Sequence, residues 1–231
     1  MPESLRRVSV ILAAYNEAAT IGPVVEGCAA HTPDLTEVIV VDDGSTDRTA
    51  ALAERAGARV FRLPENRGKG HAIRHGIRHA QGDVLLFLDA DGQDDPEEIP
   101  TLLDALVPGV DMVVGSRFRG HFGPGAITRV NRAGNQFLTF VVNLLFDARL
   151  TDTQAGFRCV RRSAADRCTL TAARYDIEVD LLLGVLRSGG RVAEVGVRRE
   201  ARLHGASQLG SVRDGTRILL KIVRRRFASA L

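Results

Sequence analysis

The stretch "LLFLDADGQDDPEEIP", residues 85 to 100, sets six carboxylates between positions 89 and 98 directly behind an apolar run. Two carboxylates ~4 Å apart repel by roughly 4 kcal/mol at an effective dielectric near 20, so such a cluster costs stability unless it faces water or holds a cation. Asp89 and Asp91 stand two positions apart. On an extended backbone their side chains project to the same side while Ala90 points away. With the amide oxygen of Gln93 they supply hard oxygen donors of the kind that hold Mg2+ or Mn2+. Asp94, Asp95, Glu97 and Glu98 fall instead at a helix start, where each well-placed negative charge gains roughly 0.3–1 kcal/mol. A solvated acidic loop with helix capping is the plainer reading of all six, and these residues alone leave it open.

Other segments carry chemistry at comparable positions. "AAYNE" (13 to 17) and "VVDDGSTDRT" (40 to 49) put Tyr15, Glu17, Asp42, Asp43 and Ser45 just beyond two further apolar runs. Arg129, Arg132 and Asn135 precede FLTFVVNLLF (137 to 146), which sets forks suited to phosphate oxygens beside an apolar surface. Solvated helix charges are the alternative for the two arginines. His71, His75 and His79 recur every fourth residue and share a helix face; without the carboxylate of an H-E-x-x-H pattern they are expected on an exposed face. "NRGKGHAIRHG" (66 to 76) lacks the G-x-x-x-x-G-K-S/T spacing of a phosphate-cradling loop. Asp176, Glu178 and Asp180 precede an apolar helical run and serve either as capping charges or, for a hydroxyl acceptor, as the source of a general base.

Elements must bring these residues together. Short runs rich in Val, Ile and Leu (8 to 14, 37 to 43, 58 to 63, 83 to 90 and 111 to 116) alternate with helical stretches. Continuous apolar strands imply burial on both faces, hence a doubly wound, mostly parallel α/β sheet flanked by helices in a single domain. Ser45 and Asp47 are expected to cap a helix through 56, and Pro96 to sit in the first turn of one through 106. In such a sheet ligands bind beyond the carboxyl ends of the strands, where the polar segments after the first, second and fourth runs are expected to lie. After 116 the sequence predicts a mobile Gly- and Pro-rich loop ("GHFGPGAITR"), a helix through 146, a helix over 176–188, a strand near 191–198 and a basic amphipathic final helix from 211.

Composition narrows the partners. The formal charge is only +3, but Arg gathers over 117–132 and after 187, which points to an anionic partner for the later half. Aromatic residues make up 5% of the chain and none interleave with the basic ones as a stacking motif, so nucleic acid is not expected. Cys28, Cys159 and Cys168 show no metal-ligand spacing and read as reduced thiols. The Arg-flanked run at the N-terminus alternates like a strand and is not read as a targeting signal, and no segment reaches the ~20 apolar residues of a membrane span. A peripheral protein at the cytoplasmic membrane face is expected, held by the 137–146 stretch, by the basic final helix or by a membrane-anchoring partner protein.

Seven segments in order, "AAYNE", "VVDDGSTDRT", "NRGKGHAIRHG", "GDVLLFLDADGQDDPEEIP", "VVGSR" (113 to 117), "DTQAGFR" (152 to 158) and "RLHGASQLG" (202 to 210), resemble the family 2 inverting glycosyltransferases. Within that family the likeness is to dolichyl-phosphate mannose synthases and related polyprenyl-phosphate hexosyltransferases. The resemblance implies a GT-A type fold, with a nucleotide-sugar-binding half (1–116), an acceptor-side half (117–210) and the final helix (211–231). It also implies transfer of a hexose from GDP-mannose or UDP-glucose to a polyprenyl phosphate, with Mg2+ or Mn2+. Matched residue by residue, Ala13, Tyr15, Glu17, Val41, Asp42, Asp43, Asp89, Ala90 and Gln208 would bind the donor. Asp89, Asp91 and Gln93 would hold the metal; Asp91, Arg117 and Arg202 would act at the reacting groups; Arg117, Arg129, Arg132 and Asn135 would take the acceptor phosphate. Ala13 replaces the family's usual Pro and Gln208 a common Lys; the second change removes a phosphate-facing cation and bears on donor preference. Two alternatives stay open: a relative that uses a soluble hydroxyl acceptor with Asp180 or Glu178 as base, and a non-catalytic nucleotide-sugar-binding domain.

Overall fold

The structure is a computed structural model that describes residues 7–202 and 211–227, the side chains of 211–213 aside. Among these residues seven strands form one sheet: β1 (Val8–Ala14), β2 (Leu35–Asp42), β3 (Arg59–Arg62), β4 (Val84–Asp89), β5 (Met112–Phe122), β6 (Arg158–Arg161) and β7 (Val192–Arg199). Their order is β3-β2-β1-β4-β6-β5-β7. β1 pairs in parallel with β2 and β4, and β2 with β3. β6 runs antiparallel to both β4 and β5, while β7 is parallel to β5. Among the described residues eight α-helices accompany them: α1 (Ile21–His31), α2 (Thr49–Arg55), α3 (Lys69–His79), α4 (Ile99–Asp104), α5 (Arg129–Phe146), α6 (Arg162–Ala165), α7 (Ile177–Arg187) and α8 (Ser211–Phe227).

The expected mostly parallel sheet is present, and β1 and β4 at its centre are apolar but for Ser9 and the terminal Asp89 because both faces are covered. Val8, Val10 and Leu12 of β1 pack with Ile21, Val25 and Cys28 of α1 and Leu102 of α4. Ile11 and Ile39 pack on the other face with Ile73 of α3 and Leu181 and Leu182 of α7. Alternation along β1 thus feeds two cores, as the period of a strand requires. At Gly76 a Cβ would stand 2.5 Å from Ile11 Cγ2, so glycine is what lets α3 lie this close to the sheet. A third cluster joins Leu138 and Val142 of α5, Val179 and Leu183 of α7, and Ile218 and Ile222 of α8. Helix α7 is therefore buried between the sheet and an outer α5–α8 pair.

Several expectations need correction. β5 continues to Phe122 through what reads as a Gly- and Pro-rich loop, because its outer half pairs with β7 at His121–Arg198 and Phe122–Arg199. β6, "RCVR", is too short and too polar to register as a strand; it is made by its two antiparallel neighbours. Ser45 does not cap α2: its hydroxyl accepts from Asn16 N (2.9 Å), while Asp47 accepts from Thr49 N (2.9 Å). Pro96 opens a 3-10 turn ahead of α4, in which Asp95 accepts from Glu97 N at 3.0 Å. The three histidines of α3 are half-buried: His75 and His79 stack at 4.4 Å between ring centroids, and Phe61 covers His79 at 4.5 Å.

Candidate active site

The strand order changes direction between β1 and β4, the chain running from β1 outward to β2 and β3 and from β4 toward β6 and β5, and ligands of such sheets bind beyond the carboxyl ends of the strands at that point. A cleft of about 720 Å³ opens there. Ala13, Tyr15 and Glu17 reach it from the end of β1, Asp43 from β2, Asp89, Ala90, Asp91 and Gln93 from β4, Arg117 from β5, and Arg199 and Arg202 from β7 and just beyond. Its far end is walled by Val130, Asn131, Asn135 and Leu138 of α5 and by Gly215 and Ile218 of α8. One continuous depression therefore joins an acidic floor to the apolar α5–α8 pair.

The acidic floor is threaded with cations. Lys69 Nζ stands 2.5 Å from Asp89 Oδ1 and 2.6 Å from Glu178 Oε1. Gly68, at φ +98°, presses so closely on Ala173 that a Cβ would meet its carbonyl oxygen at 2.6 Å, and this wedge delivers Lys69 into the floor. Arg67 N and Gly68 N donate to the Asp43 carboxylate (3.0 and 2.7 Å), tying the same loop to the end of β2. Arg199 meets Asp94 Oδ1 at 2.6 Å, Asp89 Oδ2 at 3.3 Å and Gln93 Oε1 at 3.1 Å. Arg202 Nη2 lies 2.7 Å from Asp91 Oδ2 and 3.7 Å from Glu17 Oε1.

Burial and charge pull these groups in opposite directions. Burial raises the Asp89 carboxyl, but Lys69 and Arg199 outweigh it and hold the group well below the usual carboxylate range. Burial likewise opposes the charge on Lys69, which Asp89 and Glu178 more than restore. Asp94 and Glu17 end above their ordinary values, chiefly because burial penalises their charge. Burial also pushes Arg158 down to about 10; its guanidinium donates to the carbonyl oxygens of Ala155 and Glu178 behind the cleft.

Most of the predicted residues meet in the cleft; some do not. Val41 is buried in the core and Asp42 turns to accept from Ser45 N (2.9 Å), so neither side chain is on the cleft wall. Arg117 lies on the wall with its fork closed on buried Asp152, at 2.6 and 2.9 Å. Of the helical trio, Asn135 lines the cleft, but Arg129 and Arg132 are exposed outside it, and Arg132 lies over the rings of Phe118 and Phe122. Asp94 is not a capping charge; it is buried on Arg199. Asp180 is fully buried, accepts from Thr171 N and Ala172 N, and pairs with Lys221 and Arg225 of α8, so it is a structural anchor with no access to the cleft. Glu178 does reach it. Gln208 lies outside the described residues.

Lys69 and Arg199 are absent from the predicted set, although each touches a predicted metal residue. The signal for Lys69 was its place after a glycine at a helix start; Arg199 gave none beyond a basic pair ending a predicted strand. Among the described residues no three acidic, histidine or cysteine side chains form a ready metal cage. The available set is two carboxylates and an amide oxygen, all hard donors facing one cleft, which fits Mg2+ or Mn2+ completed by phosphate and water.

A mostly parallel sheet with such a cleft at its carboxyl edge is the GT-A architecture of glycosyltransferases. The chain belongs to the family described as Glycosyl transferase family 2, whose match spans residues 9–169. Glycosyltransferase AglJ of Haloferax volcanii is 34% identical over 220 residues, covering 94% of this chain and 71% of that one. The dolichyl-phosphate hexose transferase of the same organism is 31% identical over 217 residues, covering 94% and 92%. Among solved structures, glucosyl-3-phosphoglycerate synthase from Mycobacterium tuberculosis, in complex with Mn2+, UDP-glucose and phosphoglyceric acid, matches with a TM-score of 0.77 at 26% identity, over 96% of this chain and 80% of that one. The protein is thus a glycosyltransferase.

Proposed function

We propose that this glycosyltransferase moves a hexose from a nucleoside diphosphate sugar to the phosphate of a polyprenyl lipid, at the cytoplasmic face of a membrane. Tyr15, Glu17 and Asp43 hold the nucleoside end, with Ala13 and Ala90 shaping the floor. Asp89, Asp91 and Gln93 hold a divalent ion, which when bound supplies Lewis-acid stabilisation of the departing diphosphate. Arg117 and Arg202 steady phosphate oxygens, and Asn135 lies at the acceptor end. A lipid phosphate is already an anion near neutral pH, so it needs positioning more than a general base. Its oxygen bonds to the anomeric carbon as the bond from that carbon to the diphosphate breaks, inverting the centre.

The observation that carries this reading is the continuity of the cleft with an exposed apolar surface. Val130, Phe137, Phe140 and Leu144 of α5 and Leu220, Val223 and Phe227 of α8 are all solvent-exposed, with basic Arg217, Arg224 and Arg226 on the same outer helix. Apolar side chains among cations suit the interface of an anionic bilayer. Among the described residues no helix is long and apolar enough to cross a membrane. Named relatives that act on dolichyl phosphate support the acceptor class.

The test is transfer from labelled GDP-mannose and UDP-glucose to polyprenyl phosphate in anionic vesicles with Mn2+. Label in the lipid extract, from one donor in preference to the other, is expected. Label appearing only on a soluble hydroxyl acceptor such as phosphoglyceric acid would overturn the lipid reading and favour a reaction with Glu178 as base.

A further inference from the structure

We propose that Lys221 and Arg225 of the outer helix α8 are positioning residues for donor binding: they fix the segment 169–173, and that segment sets Lys69 in the acidic floor. The inference rests on the donor reading above and extends it to a helix that α7 separates from the sheet.

On α8, Lys221 Nζ stands 2.6 Å from Asp176 Oδ2 and 3.3 Å from both Asp180 Oδ2 and Thr171 Oγ1. One turn on, Arg225 closes its fork on Asp180 Oδ1, with Nε at 2.9 Å and Nη2 at 2.5 Å, and Nη2 also donates to the Thr169 carbonyl. The other oxygen of Asp180 accepts from Thr171 N at 2.7 Å and from Ala172 N at 2.8 Å. Two cations on one helix therefore hold the 169–172 segment directly, and again through a carboxylate that has no exposed surface.

That segment bears in turn on α3. The Leu170 carbonyl accepts from Arg74 Nη1 at 3.2 Å and the Ala173 carbonyl from His71 N at 3.1 Å. A Cβ on Gly68 would meet Ala173 O at 2.6 Å and one on Gly70 would meet Ala172 O at 2.7 Å, so the two backbones touch on either side of Lys69. This contact fixes where the lysine leaves the helix, and its ammonium meets Asp89 Oδ1 and Glu178 Oε1 together from there, at 2.5 and 2.6 Å. Loss of an α8 cation leaves the buried Asp180 charge less compensated and removes a direct bond to the segment, which then loosens against α3. Helix α8 also lines the acceptor end of the cleft with Gly215 and Ile218. One element thus bears on both ends of the cleft.

The experiment is binding of GDP-mannose and UDP-glucose, with Mn2+, by calorimetry for the wild-type protein, Lys69→Gln, Lys221→Gln and Arg225→Gln. Each α8 variant keeps one cation on Asp180, and melting curves check that each is folded. Lys69→Gln is expected to weaken donor binding at least about tenfold, and each α8 variant about three- to tenfold. Positioning shows as non-additivity: Arg225→Gln combined with Lys69→Gln should bind within about twofold of Lys69→Gln alone. Ile222→Ala is the control. It loosens α8 in an apolar cluster that holds no residue of 169–173, so it should lower the melting temperature yet change donor affinity by less than about twofold. Full additivity, or an Ile222→Ala loss as large as that of the α8 charge variants, would mean that the ion pairs merely keep α8 in place, and the inference fails. Unchanged affinity in Lys69→Gln, or in both α8 charge variants, overturns it as well and leaves the donor reading standing. If neither nucleotide sugar binds the wild-type protein under any condition, the donor reading itself fails, and this inference with it.

Discussion

Lys69 shows how far one side chain can decide a site. It joins Asp89, at the end of β4, to Glu178, in the first turn of α7, and all three are largely withdrawn from water. Removing one partner of such a cluster leaves uncompensated buried charge, so Lys69→Met should lower stability by about 3–5 kcal/mol in urea denaturation at neutral pH. The pH dependence has a definite sign. Asp89 is held below its ordinary value, so its contribution is complete above the unfolded pKa of roughly 4 and is lost as pH falls through the lower folded value. In Lys69→Met that carboxyl moves upward, and the gap between wild type and variant should narrow as pH drops below about 4. A gap that stays constant down to pH 3 would mean that Lys69 acts by packing and not by charge.

At the scale of elements, α5 and α8 serve two surfaces at once. Their inner faces, Leu138, Val142, Ile218 and Ile222, close over α7. The outer positions Phe137, Phe140 and Leu144 repeat at i, i+3 and i+7 and remain 53%, 61% and 70% exposed. Exposed phenylalanines add little to the folded core, so Phe137→Ser with Phe140→Ser should leave the melting temperature nearly unchanged. The same pair should lose at least about tenfold in partition onto anionic vesicles, because each buried aromatic contributes roughly 1.5–3 kcal/mol. A flotation assay reads this directly; unchanged partition would remove these side chains from the membrane contact.

For the whole molecule, a ligand bound across several strand ends should stabilise the complete fold. A nucleotide sugar present at about 100 times its Kd adds about 2.7 kcal/mol, or roughly 5–10 °C in Tm for a chain of this size. With Mn2+ present that rise is expected for the true donor, and chelation should abolish most of it. A panel of donors compared in this way also separates guanine from uracil nucleotides. A rise that survives chelation undiminished would detach the ion from donor binding.

The alternation of apolar strands and helices over 8–116 was legible in the sequence because strands buried on both faces admit hardly any residue except Val, Ile and Leu. The acidic segments after β1, β2 and β4 were legible for a related reason: in a parallel sheet every such segment must emerge at the same edge. Asp89, Asp91 and Gln93 could therefore be grouped before any coordinates. Local sequence does not record what makes β6 a strand, since "RCVR" is extended only because β4 and β5 flank it. Nor does it show that Asp94 and Asp180 are buried anchors while Glu178, two residues from Asp180, faces the cleft. Those assignments, and the convergence of Lys69, Arg199 and Arg202 on the acidic floor, depend on residues from different elements meeting in the fold, 20 positions apart for Lys69 and Asp89, 45 for Arg225 and Asp180, and 111 for Arg202 and Asp91. Pattern and composition act along the chain; the pairing of buried charges acts across it, and only the tertiary structure could decide which cation meets which carboxylate.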